Sequence, residues 1–367
     1  MTDTSVAYKC PNCGGPLEFK PGASQVVCPY CDTQLDVAQV EALFARQQER
    51  AAAAQEAKEE RWNTEMAGKE WSTEEAAILK AFTCSACGAE IVCDENTLAT
   101  ECCYCGNPTM MPNRFGGMLK PDYVIPFQKT KEDAVAALKD FYKGKRLLPA
   151  AFTANNRVED IQPMYVPFWL FDSTVHASAD FKGEDDNVME TSDEIITETR
   201  VFQCIRSGRM SFHKIPVDGS SKMDDTYMES IEPFDYSQMV PFSPAYLTGF
   251  LADKYDVDAE ASVPRADERV ERSAVGVLEE TVRGYDRKTL QDSVVRKDED
   301  QVAYALAPVW ILTTRYQDKP YTFMMNGQTG KMVGTLPYDN QKSLMVMGAL
   351  AAILTPVLYF VAKMFLT

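Results

Sequence analysis

Histidine is almost missing from these 367 residues: there are two, His176 and His213. Acid–base chemistry near neutral pH commonly runs through imidazole, and neither histidine has a nucleophile or metal ligand spaced to use it. A structural role is expected for both. Positive charge is also short. The 37 Lys+Arg stand against 54 Asp+Glu, a formal charge of -17, which repels nucleic acid and anionic lipid at long range unless a local patch reverses it. No apolar run of signal-peptide length occurs in the first twenty residues, so the N-terminal part is expected to stay in a reducing cytosol. A phosphate loop is lacking too. Asn326-Gly-Gln-Thr-Gly-Lys331 has the wrong glycine spacing, places Met332 where a magnesium-binding Ser or Thr belongs, and is flanked by strand-like residues on both sides, so it reads as a hairpin turn. Val217-Asp-Gly-Ser-Ser221 reads as another turn. Asp185-Asp186, Asp224-Asp225 and Asp298-Glu-Asp300 lack the twelve-residue calcium loop and read as solvated segments.

What is present is cysteine, eleven in all, and enough apolar residues (45%, with 10% aromatic) to build a packed core and exclude disorder. Cys10-Pro-Asn-Cys13-Gly and Cys28-Pro-Tyr-Cys31 form two C-x2-C pairs; Cys84-Ser-Ala-Cys87-Gly and Cys102-Cys-Tyr-Cys105-Gly repeat them 74 residues later. The constant offset marks an internal duplication of one metal-binding unit. Four thiolates in this spacing occupy the corners of a tetrahedron, and glycine after Cys13, Cys87 and Cys105 lets the backbone turn around the sulfurs. Two structural zinc ions are expected, on Cys10, Cys13, Cys28 and Cys31 and on Cys84, Cys87, Cys102 and Cys105; an iron site or disulfides fit the spacing and the compartment less well. Cys103 falls outside the repeat. Cys93 and Cys204 read as small core residues.

Between the cysteine groups, Val37 to about Gly68 favours one continuous helix, a spacer able to hold two ribbons some ~45 Å apart. Later come alternating strand and helix signals. Thr130-Lys-Glu-Asp133 resembles a capping box, with Ala134, Leu138, Phe141 and Tyr142 on one helical face. Ser243-Pro244 is expected to open a helix through Leu247, Phe250, Leu251 and Tyr255, and another is expected from about Pro264 to Arg283. The strands Tyr165-Val-Pro-Phe-Trp-Leu-Phe171 and Ala307-Pro-Val-Trp-Ile-Leu312 share Pro-x-Trp, which raises a duplicated α+β module. Ser343 to Ala362 carries no charge, and its length matches the roughly 20 residues that cross hydrocarbon. The expected fold is α+β: zinc ribbon 1 over 1–36, a helical linker over 37–81, zinc ribbon 2 over 82–117, an α+β domain with antiparallel sheet over 118–342 and a transmembrane helix over 343–366.

Both ribbons are net acidic. Lys9 and Lys20 face Glu18, Asp32 and Asp36, and Arg114 faces Glu90, Asp94, Glu95 and Glu101; each tetrathiolate zinc adds a formal -2. Without counterion release from Lys/Arg, nucleic-acid binding loses its main term. Protein partners are expected instead, through Tyr30, Tyr104 and Met110-Met111.

At these residues the chain resembles bacterial membrane-anchored zinc-ribbon proteins, the transcription-factor-B-type or primosomal-helicase-type zinc ribbons. The resemblance covers nearly the whole chain, through the ribbons, Tyr165–Phe171, Ile215-Pro-Val-Asp-Gly-Ser-Ser221, Ile231-Glu-Pro-Phe-Asp-Tyr236 and Met325–Gly334. It implies a membrane protein, associated in some bacteria with phage-shock envelope-stress systems, and carries zinc ligation onto the eight named cysteines but no catalytic residue. The expectation is therefore a non-enzymatic adaptor, single-pass in the cell membrane through its C-terminal helix, with its N-terminal domains in the cytoplasm and no small-molecule substrate. The alternatives are a nucleic-acid-binding membrane tether and an enzyme using His213 with Asp224 or another carboxylate.

Overall fold

The computed structural model describes residues 9–19, 25–59, 62–94, 97, 101–113, 115–155, 158–191, 194–317 and 319–366. In chain order the elements are β1 (Glu18–Phe19), β2 (Gln25–Val27), β3 (Gln34–Asp36), α1 (Val37–Glu59), α2 (Thr73–Ala77), β4 (Leu79–Cys84), β5 (Glu90–Asp94) and β6 (Met110–Asn113). Then follow β7 (Tyr123–Val124), α3 (Lys131–Tyr142), α4 (Ala150–Asn155), β8 (Gln162–Glu190), β9 (Ile195–Asp218), α5 (Asp225–Ile231) and β10 (Val240–Pro241). Last are β11 (Leu251–Asp253), α6 (Ala259–Glu280), β12 (Arg287–Tyr316), β13 (Lys319–Asn326), β14 (Met332–Gly334) and α7 (Asn340–Leu366). The chain divides into two compact units, Met1–Asn63 with Phe171–Ile215 and Val263–Gln301, and Thr64–Leu170 with Pro216–Ser262 and Val302–Thr367.

The fold is α+β, but three parts of the expected architecture are corrected. The sheet is mixed rather than antiparallel: eleven strands, with β8 parallel to β11 and β12 parallel to β7. The second cysteine group is not a small ribbon apart from that sheet. Its strands β4, β5 and β6 pair with one another, and β5 pairs with β11, so the strands that carry it are members of the large sheet. The third correction concerns the tail: among the described residues no helix is long and apolar enough to cross a membrane. That tail is the continuous helix α7, with Pro356 inside it. The single-pass membrane localisation rested on this segment and falls with it. The spacer is also shorter than expected, since α1 ends at Glu59 and Trp62 beyond it is buried.

Along the chain, a β–α–hairpin–turn sequence occurs twice. The first copy runs β7, α3, β8, β9 and the turn at Gly219; the second runs β11, α6, β12, β13 and the turn at Gly327. Equivalent hydrogen bonds recur at equivalent places. Gly219 N donates to Pro167 O (2.9 Å) and Gly327 N to Pro308 O (2.8 Å). Asp256 N and Val257 N both donate to Gly219 O, as Gln128 N and Lys129 N both donate to Gly327 O. Trp169 Nε1 donates to Val257 O (2.9 Å) and Trp310 Nε1 to Lys129 O (3.0 Å). An aromatic ring lies edge-on to each indole, Tyr255 at 5.2 Å and Phe127 at 5.5 Å. The pairing is crossed: the first strand of each copy docks beside the hairpin of the other. Sequence reasoning mistook the second copy's opening. Ser243-Pro244 starts only a short 3-10 turn to Leu247, and Leu251–Asp253 is strand β11, held between β5 and β8.

Helix starts follow side-chain chemistry. Thr130 and Asp133 close a capping box on α3, whose Ala134 and Leu138 are fully buried. Asp258 Oδ1 accepts from Ala261 N (2.7 Å) at the corresponding start of α6. One apolar cluster joins Val166, Phe168, Val309 and Ile311 with Ile91 and Cys103; a second packs Leu138 and Phe152 on Trp310 and Phe323.

The first unit holds β1–β3 as a separate three-stranded antiparallel sheet, α1, most of α6, and the long arms of β8, β9 and β12. Trp62 anchors it, donating to Asp267 Oδ1 (2.7 Å), lying edge-on to Phe171 at 4.9 Å and receiving Lys297 over its ring. Val270, Ala274 and Leu278 form the buried face of α6, while Val277 is exposed.

Replacing Trp169 or Trp310 by Phe keeps an aromatic ring but leaves a part-buried carbonyl, Val257 O or Lys129 O, without its indole donor. Each change is expected to destabilise the chain by about 1–3 kcal/mol, read as a lowered urea midpoint; an unchanged midpoint in both would rule out the paired role.

Candidate metal centres

All four cysteine knuckles are built alike. The amide of the first cysteine donates to the carbonyl five residues on (Cys10 N to Gly15 O, 2.7 Å; Cys28 N to Thr33 O, 2.9 Å; Cys84 N to Ala89 O, 2.9 Å; Cys102 N to Asn107 O, 2.8 Å). The residue after the second cysteine returns an amide to the first one's carbonyl, from Gly14, Asp32, Gly88 and Gly106. These four all have positive φ, 74°, 56°, 73° and 66°. Three are glycine, which takes that conformation freely, and the fourth is aspartate, one of the few other residues that tolerates it.

This backbone brings the sulfurs together. Cys10 and Cys31 Sγ lie 3.6 Å apart and Cys13 and Cys28 Sγ 3.4 Å; Cys84–Cys105 and Cys87–Cys102 are each 3.6 Å. Within each set, all ligand atoms lie within 4.8 Å of one another. Such separations are too long for a disulfide bond of about 2.05 Å and match the edges of a tetrahedron around one ion. All eight sequence-predicted ligands therefore converge in two groups of four that could hold metal ions. The Thr33 hydroxyl (3.0 Å from Sγ) and amide hold the Cys31 thiol down to about 6, favouring the thiolate that a metal needs. At Cys84 burial opposes ionisation, but the amides of Cys87 and Ala86 bring it to about 7.

The remaining thiols do not join these groups. Cys103 is buried and its Sγ lies 3.4 Å from Met164 Sδ, with burial pushing its ionisation well up. Cys93 Sγ donates to Thr97 O (3.1 Å), burial again raising it, to about 11. Cys204 is buried. His176 and His213 are exposed on the strand arms, and Asp224 caps α5 by accepting from Thr226 N.

The two centres differ in what surrounds them. In the second, Tyr104 points inward, so its expected role as an exposed docking residue is corrected: its ring packs on the main core and its hydroxyl is buried. It meets Asp253, a carboxylic acid 1% exposed in β11, and Ser220 of the first copy's turn. Sequence reasoning missed this carboxyl because β11 read as helix. The signal lay in the repeat, where Asp253 stands at the place of the buried Ile125. Burial pushes the Asp253 acid up to about 7, Ser220 and Tyr104 easing the shift and Asp256 adding to it. Asp253 Oδ2 and Tyr104 Oη make no hydrogen bond of good geometry among the described residues. In the first centre the apolar knuckle residues stay out: Tyr30 is 75% and Phe19 57% exposed.

The architecture defines an α+β protein with two four-cysteine centres, one on a separate small sheet and one carried by the large sheet. It belongs to the family of a Bacillus subtilis (strain 168) protein described as "Uncharacterized protein YdjG", to which it is 32% identical over 337 residues, 92% of each chain. No family model matches the chain, and no solved structure does.

Two outcomes follow from this contrast. Cys84→Ser should lower the urea midpoint of the large sheet, because β4–β6 belong to it, whereas Cys10→Ser should leave that midpoint nearly unchanged; equal effects would refute the difference. For Asp253, the folded acid keeps its proton to about pH 7 while the unfolded one loses it near 4, so stability falls as pH rises through that interval. Asp253→Asn should therefore gain on the wild type between pH 5.5 and pH 8 in urea unfolding, and a constant difference across that range would contradict the buried-acid assignment.

Proposed function

We propose that this chain is a non-enzymatic zinc-ribbon adaptor, holding two structural Zn²⁺ ions and docking a protein partner through its first ribbon. Zinc fits because four thiolates 2.3 Å from one ion lie about 3.8 Å from each other in a tetrahedron, close to the sulfur separations of 3.4–3.6 Å. Iron in the same geometry is the competitor. A closed shell of four protein ligands offers no position for water or substrate, so the ions supply folding energy rather than chemistry.

The observation that carries the docking role is the exposure of Phe19 and Tyr30 on the first ribbon, set against the inward Tyr104 of the second. Tyrosine is among the residues most enriched at protein–protein hot spots, and aromatic residues including phenylalanine are enriched in interface cores. A nucleic-acid partner is disfavoured by the exposed Glu18, Asp32 and Asp36 on the same ribbon and by the two negative charges of each tetrathiolate zinc.

Elemental analysis of purified protein should return two zinc ions per chain; fewer than two, or iron in their place, would refute the metal assignment. Partners captured by the wild type should be lost with Tyr30→Ser while zinc content stays at two. A capture pattern indifferent to Tyr30, or a salt-dependent gel shift with duplex DNA at physiological ionic strength, would refute protein docking through this ribbon.

A further inference from the structure

Strand β9 is a long edge. Among the described residues its only strand partner is β8. Exposed edges are normally blunted by charged side chains, above all lysine, by proline or by bulges; as far as His213, β9 carries Glu198, Arg200, Arg206 and Arg209 as its charges. From Ile195 to His213 there is neither proline nor lysine; the first interruptions are Lys214, with φ of 56°, and Pro216. The same stretch exposes apolar side chains: Ile195 is 70%, Ile196 45%, Val201 40%, Phe202 41% and Ile205 40% exposed. The Phe202 ring meets Tyr285 at 5.3 Å between centroids.

We propose that two copies of this chain pair β9 against β9, antiparallel, about a two-fold axis through Phe202. Charge selects that register. With the axis at Phe202, Glu198 of each copy lies opposite Arg206 of the other, so one two-fold operation creates two opposite-charge pairs flanking a Phe202–Phe202 contact. Thr199 then meets Ile205, Val201 meets Gln203, and Ile196 lies over Gly208. Moving the axis by one residue, to Gln203, sets Arg200 against Arg206, a like-charge pair that opposes association. Among the described residues neither Glu198 nor Arg206 is committed to an ion pair; the Arg206 guanidinium donates to the neighbouring Ile205 carbonyl, at 2.9 Å. A second copy suits this edge better than an anionic bilayer, because it brings Arg206 opposite Glu198, whereas acidic headgroups would meet the exposed Glu190, Glu194 and Glu198. This inference is independent of the metal and docking assignments above.

Sedimentation velocity on the full chain over a range of concentrations tests it with Glu198→Arg, Arg206→Glu and the double exchange. The wild type should dimerise. Each single change places two like-charge pairs in the interface and should raise the dimer dissociation constant at least about tenfold, while the double exchange should return it to within about threefold of wild type. A synthetic peptide spanning Ile195 to Arg209 should dissociate the wild-type dimer, a readout that needs no variant to fold. A wild type that stays monomeric, a dimer indifferent to the single changes and the peptide, or a double exchange no tighter than the singles would overturn the proposal.

Discussion

The second unit rests on a reciprocal lock between two turns. Each turn glycine, Gly219 or Gly327, accepts two consecutive amides through its carbonyl, from Asp256 and Val257 or from Gln128 and Lys129. Each indole donates to the carbonyl of the residue that follows, Val257 or Lys129. The donors and acceptors come from opposite repeats, so neither repeat satisfies its buried backbone alone, and an unpaired buried group costs about 1–3 kcal/mol. The glycines are needed for space. A Cβ on Gly327 would stand 2.7 Å from the Phe127 ring and 2.9 Å from Pro308, and one on Gly219 would stand 3.1 Å from the Trp169 indole. The short Pro-x-Trp match is thus the visible remnant of a constraint that requires proline, tryptophan, glycine and a facing aromatic together.

The lock explains why the two cysteine groups, alike in backbone, behave differently. Their spacing and knuckle hydrogen bonds are the same, but β5 of the second pairs with β11, the opening strand of the second repeat. Its residues Cys103 and Tyr104 consequently enter the main apolar cluster. Metal at that centre would hold β4–β6 in place beside the repeat core, where burial already supports them. The first group stands on a separate three-stranded sheet that packs with α1, a small body in which bound metal would supply folding energy.

The two four-cysteine groups, the knuckle glycines and the α3 cap were legible because each depends on residues close in sequence: C-x2-C, Cys-Gly, Thr-x-x-Asp. The fold class in its coarse α+β form was legible for the same reason. What was hidden depended on partners distant in the chain. Leu251–Asp253 reads as helix by its own pattern and becomes strand because β5 and β8 lie on either side of it. Tyr104 looks like a solvent-facing knuckle until the sheet turns it inward. The tail misled in a different way: its uncharged run was read by length alone, and among the described residues no helix is long and apolar enough to cross a membrane.

Duplication followed by asymmetry is the common thread of the chain. In the α+β repeats, the site that holds Ile125 in the first copy holds Asp253 in the second, so an apolar contact became a buried acid touching the second cysteine centre. In the cysteine repeats, a tyrosine between the last two ligands stays outside in one copy, as Tyr30, and turns in beside that acid in the other, as Tyr104. The two changes meet at one contact. An acid could persist at the Ile125 position only where a polar neighbour shared its burial, since a lone buried carboxyl is costly, and Tyr104 with Ser220 supplies that neighbour. With the second knuckle turned inward, the first keeps its tyrosine at the surface, so one copy of the duplicated unit is carried by the large sheet and the other by a sheet of its own.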